Sequence, residues 1–426
     1  RDPSSARVGN VRRVGGEMVD QYRSDPSARQ QALLQQALAL HQQGQVAQAQ
    51  SIYQEILKQN PRNFDALHFL GVTYAQTGLS ETAAEYISRA IEIKQDAPFA
   101  LNNLGNVLTS LQRYDEALSS FDKAIALKPD YSEAHNSRGA VLCHLQRFDE
   151  ALSSFDKVLA LHPNHPELHN NRGNILTLLK RFDEALSSYN KALTLNPNYL
   201  EAHYNSGIVL RDLKRLDEAL SSCDRALALK PDYPEAHNNR GNVLRDLKRF
   251  DEALSSYDKA LALKQDYADA HNNRGIVLCD LRRFDEALSS YDRALALKPD
   301  YLEAHYSRGN ALKGLQRFDE ALLSYDRALA LKSELPEVHS NRGATLYDLK
   351  RFDEALSSYD KALALKPDYP EVHNNRGNAL RDLKRFDAAL LSYDKALALK
   401  PDYADAYSNR GNALYDLRRF DEALSS

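Results

Sequence analysis

Stripes of apolar residues alternate with short polar turns along the chain, and the stripes have the period of an α-helix. Within residues 234–267, a first stripe runs from Ala236 to Leu247 and a second from Phe250 to Leu263, with a turn at 248–249 between them. Small and large apolar residues recur three or four positions apart in each stripe, so each presents one apolar face. The segment therefore predicts two amphipathic helices joined by a tight turn.

The same pattern returns every 34 residues, and glycine marks the period at Gly71, Gly105, Gly139, Gly173, Gly207, Gly241, Gly275, Gly309, Gly343, Gly377 and Gly411. With this glycine at unit position 8, eleven complete units begin at Gln30 and a truncated twelfth covers 404–426, and position 20 is always alanine. We predict a repeat array over 30–426 and a tail at 1–29 that is disordered or partly vector-derived. Because the chain starts without Met and ends inside a helical pattern, we expect a fragment.

The residues between units suggest how the helices start and stop. Pro231 cannot continue a helix, and Asp232 followed three residues later by Glu235 has the spacing of a capping box. We therefore expect Asp232, and its counterparts in other units, to cap the first helix of the next unit.

A 34-residue unit with Gly at position 8, Ala at 20, an aromatic residue at 24 and Pro at 32 resembles the tetratricopeptide repeat. The resemblance covers almost the whole chain and implies an all-α fold, a right-handed superhelical α-solenoid of helix–turn–helix repeats. It also implies a scaffold that binds extended peptides or partner proteins in a concave groove lined by the first helices, and not an enzyme. Position 4 is mostly His and position 7 mostly Arg where the family has Trp and Leu, which we expect to lighten the core.

Positions 2, 5, 6, 9, 12 and 13 of the first helix lie opposite its apolar stripe, so we predict that they are exposed and line the groove. Asparagine and aspartate recur there. Position 6 has Asn103, Asn171, Asn205, Asn239, Asn273, Asn341, Asn375 and Asn409; position 9 has Asn174, Asn242, Asn310 and Asn378; position 13 has Asp212, Asp246, Asp280, Asp348 and Asp382. An asparagine amide offers both donors and an acceptor, which match the N–H and C=O of an extended backbone. We interpret these residues as a peptide-binding ladder, with the aspartates favouring basic or hydroxyl-rich segments.

Two further hypotheses remain open. Long arrays with Asn at position 6, and units reading like His237–Asn242, resemble the N-terminal region of bacterial O-linked N-acetylglucosamine transferases, in which the repeats recruit substrates for a separate catalytic domain. Near-identical units can also stack end to end, or pair through the convex face, as a homo-oligomer.

The composition argues against several classes of partner and binding site. The formal net charge of −4 argues against a nucleic-acid coat, three cysteines in 426 residues fit a reducing cytoplasmic location, and no apolar run is long enough to cross a membrane. The position-4 histidines lie one per unit, so we expect them to pack or hydrogen-bond and not to bind metal. We likewise predict surface filler at the Ser-Ser pairs of positions 22 and 23, and no cofactor.

Overall fold

The computed structural model describes residues 26–424, and all of the regular structure in that range is α-helical. The helices of the first six pairs are α1 (Pro26–Gln42), α2 (Val46–Gln59), α3 (Phe64–Gln76), α4 (Ser80–Ile93), α5 (Pro98–Ser110), α6 (Tyr114–Leu127), α7 (Ser132–His144), α8 (Phe148–Leu161), α9 (Pro166–Leu178), α10 (Phe182–Leu195), α11 (Leu200–Asp212) and α12 (Leu216–Leu229). The remaining pairs are α13 (Pro234–Asp246), α14 (Phe250–Leu263), α15 (Ala268–Asp280), α16 (Phe284–Leu297), α17 (Leu302–Gly314), α18 (Phe318–Leu331), α19 (Pro336–Asp348), α20 (Phe352–Leu365), α21 (Pro370–Asp382), α22 (Phe386–Leu399), α23 (Ala404–Asp416) and α24 (Phe420–Leu424).

The predicted all-α solenoid of helix pairs is confirmed. Odd-numbered helices pack against the even-numbered helix that follows, as α13 does against α14, and the chain divides into two compact units, one ending at Ala202 and one beginning at His203. Helix α1 begins at Pro26, upstream of the predicted first unit. Most of the predicted tail, residues 1–25, lies outside the described residues.

The core of each pair is built on the glycine of position 8, the alanine of position 20 and the aromatic ring of position 24. Ala253 and Tyr257 are fully buried, and a Cβ added at Gly241 would lie 2.5 Å from the Tyr257 ring. Carbon atoms attract at about 3.5–4.0 Å, so only a hydrogen atom fits between this helix and the tyrosine ring. The glycine that marks the period is thus explained by the close approach of the two helices.

The turn inside a pair closes with a left-handed residue at position 15. Lys248 has φ of 59°, its N–H donates to the carbonyl of Arg245, and the N–H of Arg249 donates to the carbonyl of Leu244. This is the Schellman arrangement, which satisfies the last carbonyls of α13. Gly44 and Gly78 occupy the same position in the first two pairs, where φ is also positive.

The predicted capping boxes are wrong. The N-cap of α13 is Tyr233, not Asp232, and no side chain caps that helix. The carbonyl of Tyr233 already accepts from the N–H of His237, which places the helix start one residue later than the sequence spacing suggests. The tyrosine is held there by the ammonium group of Lys230, 5.2 Å from the centre of its ring. None of the helices within residues 26–424 is both long and apolar enough to cross a membrane.

Candidate functional site

Positions 2, 6, 9 and 13 of the odd-numbered helices form one stripe, which we call the amide face. At its centre, the asparagine of position 6 reaches back to position 5 of the preceding pair at Asn103, Asn273, Asn341 and Asn409. The Asn273 Nδ2 donates to the Asn238 Oδ1 at 3.1 Å, and the Asn409 Nδ2 donates to the Asn374 Oδ1 at 3.0 Å. The other position-6 bonds have different partners, since the Asn103 amide pairs with the His68 imidazole and the Asn341 Nδ2 donates to the Tyr306 hydroxyl and the Asn310 Oδ1. The predicted ladder therefore includes two amide-to-amide bonds, one at Asn273 and one at Asn409.

The prediction that position 5 is exposed is wrong for most pairs. The position-5 side chains are buried at His68, Asn102, Asn170, Asn238, Asn272, Ser340 and Asn374, although Asn136 is exposed. The reason is the stacking of the next odd-numbered helix, which covers position 5 and leaves position 6 at the edge. Periodicity within one helix could not reveal this, because the covering surface comes from the next repeat.

The asparagines of position 9 have a structural partner of their own. In four pairs the tyrosine hydroxyl of position 24 donates to the asparagine Oδ1 at 2.8–2.9 Å, the pairs being Tyr189 with Asn174, Tyr257 with Asn242, Tyr325 with Asn310 and Tyr393 with Asn378. Burial raises the pKa of the Tyr189 hydroxyl to about 12, so these tyrosines stay neutral donors. Each bond holds the asparagine side chain through its Oδ1, and the tyrosine makes no use of the Nδ2 donors.

The aspartates of position 13 face position 12 of the preceding pair. Arg211 Nε donates to Asp246 at 2.7 Å, the Tyr347 hydroxyl donates to Asp382 at 2.6 Å, and the Lys313 ammonium lies 3.9 Å from Asp348. Burial is the main cause and the nearby Asp382 carboxylate the second cause that raise the pKa of the Tyr347 hydroxyl to about 12. Asp212 and Asp280 are exposed, and within residues 26–424 neither carboxylate forms an ion pair.

The two compact units differ in the charge of this face. Position 13 is Gln76, Ser110, His144 and Leu178 in the first unit, whereas aspartate dominates it in the second. Position 2 is acidic in nearly every pair, and the exceptions are Gln31 and Phe99 in the first unit. The amide face of the second unit is therefore acidic at both ends of each helix, while that of the first unit is acidic at one end only.

The arginines of position 7 were expected to lighten the core, but the structure gives them a different role. Arg240 Nε donates to Asp224 on the preceding pair at 2.6 Å, and its Nη1 donates to the buried Ser256 hydroxyl at 2.8 Å. The Ser256 hydroxyl in turn donates to the Glu252 carbonyl. The same Arg–Asp bond forms in the pairs that contain Arg138, Arg172, Arg274, Arg308, Arg342, Arg376 and Arg410.

These bonds correct the prediction that both serines of positions 22 and 23 are surface filler. Position 23 is buried and hydrogen-bonded, as at Ser256, whereas position 22 is exposed, as at Ser255. The sequence carried a signal for it that the single-unit pattern missed. Position 25, which is Asp224 in the repeat before Arg240, is Asn190 one repeat earlier. In the pair that follows Asn190, position 7 is Ser206, so the arginine is absent where the aspartate is absent.

The histidines of position 4 make the hydrogen bond that was expected of them. The His237 Nε2 donates to the carbonyl of Pro231 at 2.9 Å, and burial lowers the pKa of this imidazole. His271 and His339 make the same bond to the carbonyls of Gln265 and Ser333, where proline is absent. Each histidine therefore ties the start of one pair to the turn before it.

The cysteines are all unpaired thiols. Cys223 takes the place of the position-24 tyrosine, and burial raises the pKa of its thiol to about 12. A Cβ at Gly207 would lie 3.1 Å from the Cys223 sulfur, a looser contact than any tyrosine or phenylalanine leaves in the other pairs.

Comparisons with known proteins agree with this architecture. Family models described as tetratricopeptide repeat match residues 34–98, 98–131, 132–165, 166–199 and 272–337, and a model described as TPR repeat matches 207–245, 241–281, 345–383 and 377–417. No curated protein matches the sequence.

Several solved structures are similar to this chain. The APC/C hetero-tetramer Cut9–Hcn1 is 14% identical, with 93% of this chain and 98% of that chain covered and a TM-score of 0.50. YrrB, described as a TPR protein with an unusual peptide-binding site, is 26% identical over 44% of this chain and 96% of that chain, with a TM-score of 0.40. Yeast Tom70 is 20% identical over 84% and 90% of the two chains, with a TM-score of 0.39.

Proposed function

Because the chain belongs to the tetratricopeptide repeat family, we propose that it is a protein–protein interaction scaffold whose amide face holds extended polypeptide segments. The observation that carries this proposal is the pre-oriented row of amides at positions 6 and 9. An asparagine side chain has two N–H donors and a carbonyl with two lone pairs. The Asn273 amide uses one donor for Asn238, and the Asn242 amide uses one lone pair for Tyr257, which leaves further donors and acceptors on each.

Fixing these amides in advance favours binding. A free side chain loses about 0.5–1.5 kcal/mol of rotamer freedom when a ligand immobilises it. The bonds within the chain have already restricted the Asn242 and Asn273 rotamers, so a ligand that binds them loses less. The amides contact main-chain groups that every residue carries, so we propose recognition of the extended backbone with little dependence on side-chain sequence.

The test uses a labelled, unstructured peptide and a matched peptide in which alternate backbone nitrogens are methylated. Methylation removes the N–H donor and leaves the side chains unchanged, so fluorescence anisotropy should show weaker binding of the methylated peptide and nearly equal binding of a scrambled one. Equal binding of the methylated and parent peptides would refute backbone recognition. A photo-crosslinker placed at exposed Asn171 should label the bound peptide, whereas the same group at Ser255, on the even-numbered helix, should not.

The glycosyltransferase hypothesis rests on the same position-6 asparagines. In that case the array would recruit substrates for a catalytic domain, and the coding sequence downstream of Ser426 would encode it. A stop codon there, or a different domain, would exclude this alternative. A cytoplasmic location remains a proposal that rests on the three unpaired thiols.

A further inference from the structure

A groove lies between the even-numbered helices α12 and α14 of the second unit. Leu227 forms its wall on α12, Ala262 and Leu263 form its wall on α14, and its volume is about 610 Å³. The floor consists of His237 and Arg240, at positions 4 and 7 of α13, which lie away from the amide-face positions around that helix. The volume is within the roughly 300–1,000 Å³ typical of ligand pockets, so the groove can accept an aliphatic side chain.

Lys259 gives this groove a positive charge that the protein does not neutralise. Its side chain lines the groove, is exposed and forms no ion pair within residues 26–424. The other charged groups of the lining cancel, because Arg240 Nε donates to Asp224 at 2.6 Å. The His237 imidazole is neutral, since burial lowers its pKa. The groove therefore combines an apolar wall with one free ammonium group.

The same combination of an exposed leucine and a cation recurs along the second unit. Position 30 is a leucine that is 39–47% exposed, at Leu229, Leu263, Leu297, Leu331, Leu365 and Leu399. One turn earlier, position 26 is an exposed cation, at Arg225, Lys259, Arg293, Arg327, Lys361 and Lys395. Residues four apart share one helix face, and none of these cations forms an ion pair in the described part of the chain. The even-numbered helices therefore present a row of apolar and cationic sites, one in each repeat.

The charges around the groove favour a carboxylate of a polypeptide over an anionic membrane. Helix α14 also carries the exposed carboxylates of Asp251 and Asp258. A flat anionic surface would meet these acids as well as Lys259, whereas a single carboxylate seated at the groove meets Lys259 alone. The amide face of the same unit is acidic, so it would repel the ligand that the groove attracts.

We infer that the even-numbered helices of the second unit form a second binding surface, which takes an acidic partner segment with an aliphatic residue beside each carboxylate. The aliphatic side chain occupies the groove against Leu227 and Leu263, and the carboxylate pairs with Lys259. An exposed ion pair contributes little by itself, so the affinity depends on several repeats that bind one segment together. This surface is separate from the amide face and does not depend on it.

The first unit contains a groove of the same size with a different charge. It lies between α4 and α6, has a volume of about 610 Å³, and is lined by Lys123 and Leu127 at positions 26 and 30. Its lining also includes Glu92 and Asp96, so two carboxylates oppose the lysine. This groove has the same shape of wall without the net positive charge, and it should not take an acidic segment.

The experiment measures fluorescence anisotropy of three labelled peptides with the full chain at low salt. One peptide repeats Glu-Leu-Ser, the second has Gln in place of every Glu, and the third has Ser in place of every Leu. We expect the Glu-Leu-Ser peptide to bind about tenfold more tightly than either control, because each control removes one half of the site.

Two variants of equal charge locate the binding. The position-26 variant R225Q/K259Q/R293Q/R327Q/K361Q/K395Q should bind all three peptides equally weakly and keep the wild-type thermal midpoint, since these side chains are exposed. The matched variant K214Q/K248Q/R282Q/K350Q/K384Q/R418Q removes as many exposed cations from the turns at position 15, where Gln already stands at Gln316. It should keep the preference for the acidic peptide.

Chemical crosslinking identifies the residue in contact. A carbodiimide joins a carboxylate directly to an adjacent amine, so mass spectrometry should find the Glu-Leu-Ser peptide attached to Lys259 and not to Lys123 or Lys248. Absence of binding, equal binding of the Glu and Gln peptides, or an equal loss in both variants would overturn the inference. Binding to phosphatidylserine vesicles without binding to the peptide would assign the surface to a membrane instead, and each of these failures leaves the proposed function of the amide face intact.

Discussion

The contact between glycine and tyrosine at positions 8 and 24 predicts that one substitution will have different effects in two repeats. In Gly241→Ala the added Cβ lies 2.5 Å from the Tyr257 ring, which is fully buried and anchored through its hydroxyl to Asn242. In Gly207→Ala the Cβ lies 3.1 Å from the Cys223 sulfur, which can yield by a few tenths of an ångström. Both changes replace glycine with alanine at the same place in a helix.

The magnitudes follow from two opposing effects. Alanine is favoured over glycine inside a helix by about 1 kcal/mol. Forcing an extra carbon into a packed core costs about 1–3 kcal/mol. At Gly241 both effects operate, so we expect a net loss of up to about 2 kcal/mol; at Gly207 the helix preference dominates, so we expect no loss or a gain of up to about 1 kcal/mol.

The assay is urea denaturation followed by circular dichroism, with the midpoints of the two variants compared with that of the wild type. Because repeat arrays need not unfold in one step, the comparison uses the change in midpoint within the transition of the second unit. A rescue variant completes the design: in the Tyr257→Cys background, Gly241→Ala should behave as Gly207→Ala does in the wild type. Equal losses at both glycines, or no rescue, would refute the account of the close helix approach.

Three other predictions concern the joints between pairs. Arg240→Gln removes the donor to buried Ser256 and the partner of Asp224, and should cost about 1–2 kcal/mol of unfolding free energy by urea denaturation, whereas exposed Lys259→Gln should change it little. Asn273→Ala leaves the Asn238 carbonyl without its donor and should cost about 1–3 kcal/mol, against less than about 0.5 kcal/mol for exposed Asn171→Ala. Burial lowers the pKa of His68 from 6.5 to about 4, so the unfolded chain binds the proton more readily and stability should fall by roughly 3 kcal/mol between pH 6.5 and pH 4. His68→Asn, the residue common at this position, should remove that part of the pH dependence, and an unchanged slope of midpoint against pH would contradict it.

The contacts of Tyr257 and of the position-4 histidines could be predicted from the sequence of a single repeat. The stripe around Gly241, the buried Ala253 and Tyr257, and the turn at Lys248 all follow from periods of 3.6 and 34 residues, because these contacts lie within one helix pair. The bond from the position-4 histidine was also predictable, since a lone imidazole near a helix start needs a partner and has no second histidine within reach.

The roles of the amide face required the tertiary structure. The sequence places Asn238 and Asn273 in successive repeats but cannot say that one covers and bonds the other, because the covering depends on how neighbouring pairs stack. For the same reason position 5 was predicted to be exposed and Arg240 to weaken the core. Local periodicity determines which residues form helices and which stripe is apolar, whereas the registry between pairs decides which polar groups are used up inside the protein and which remain for a ligand.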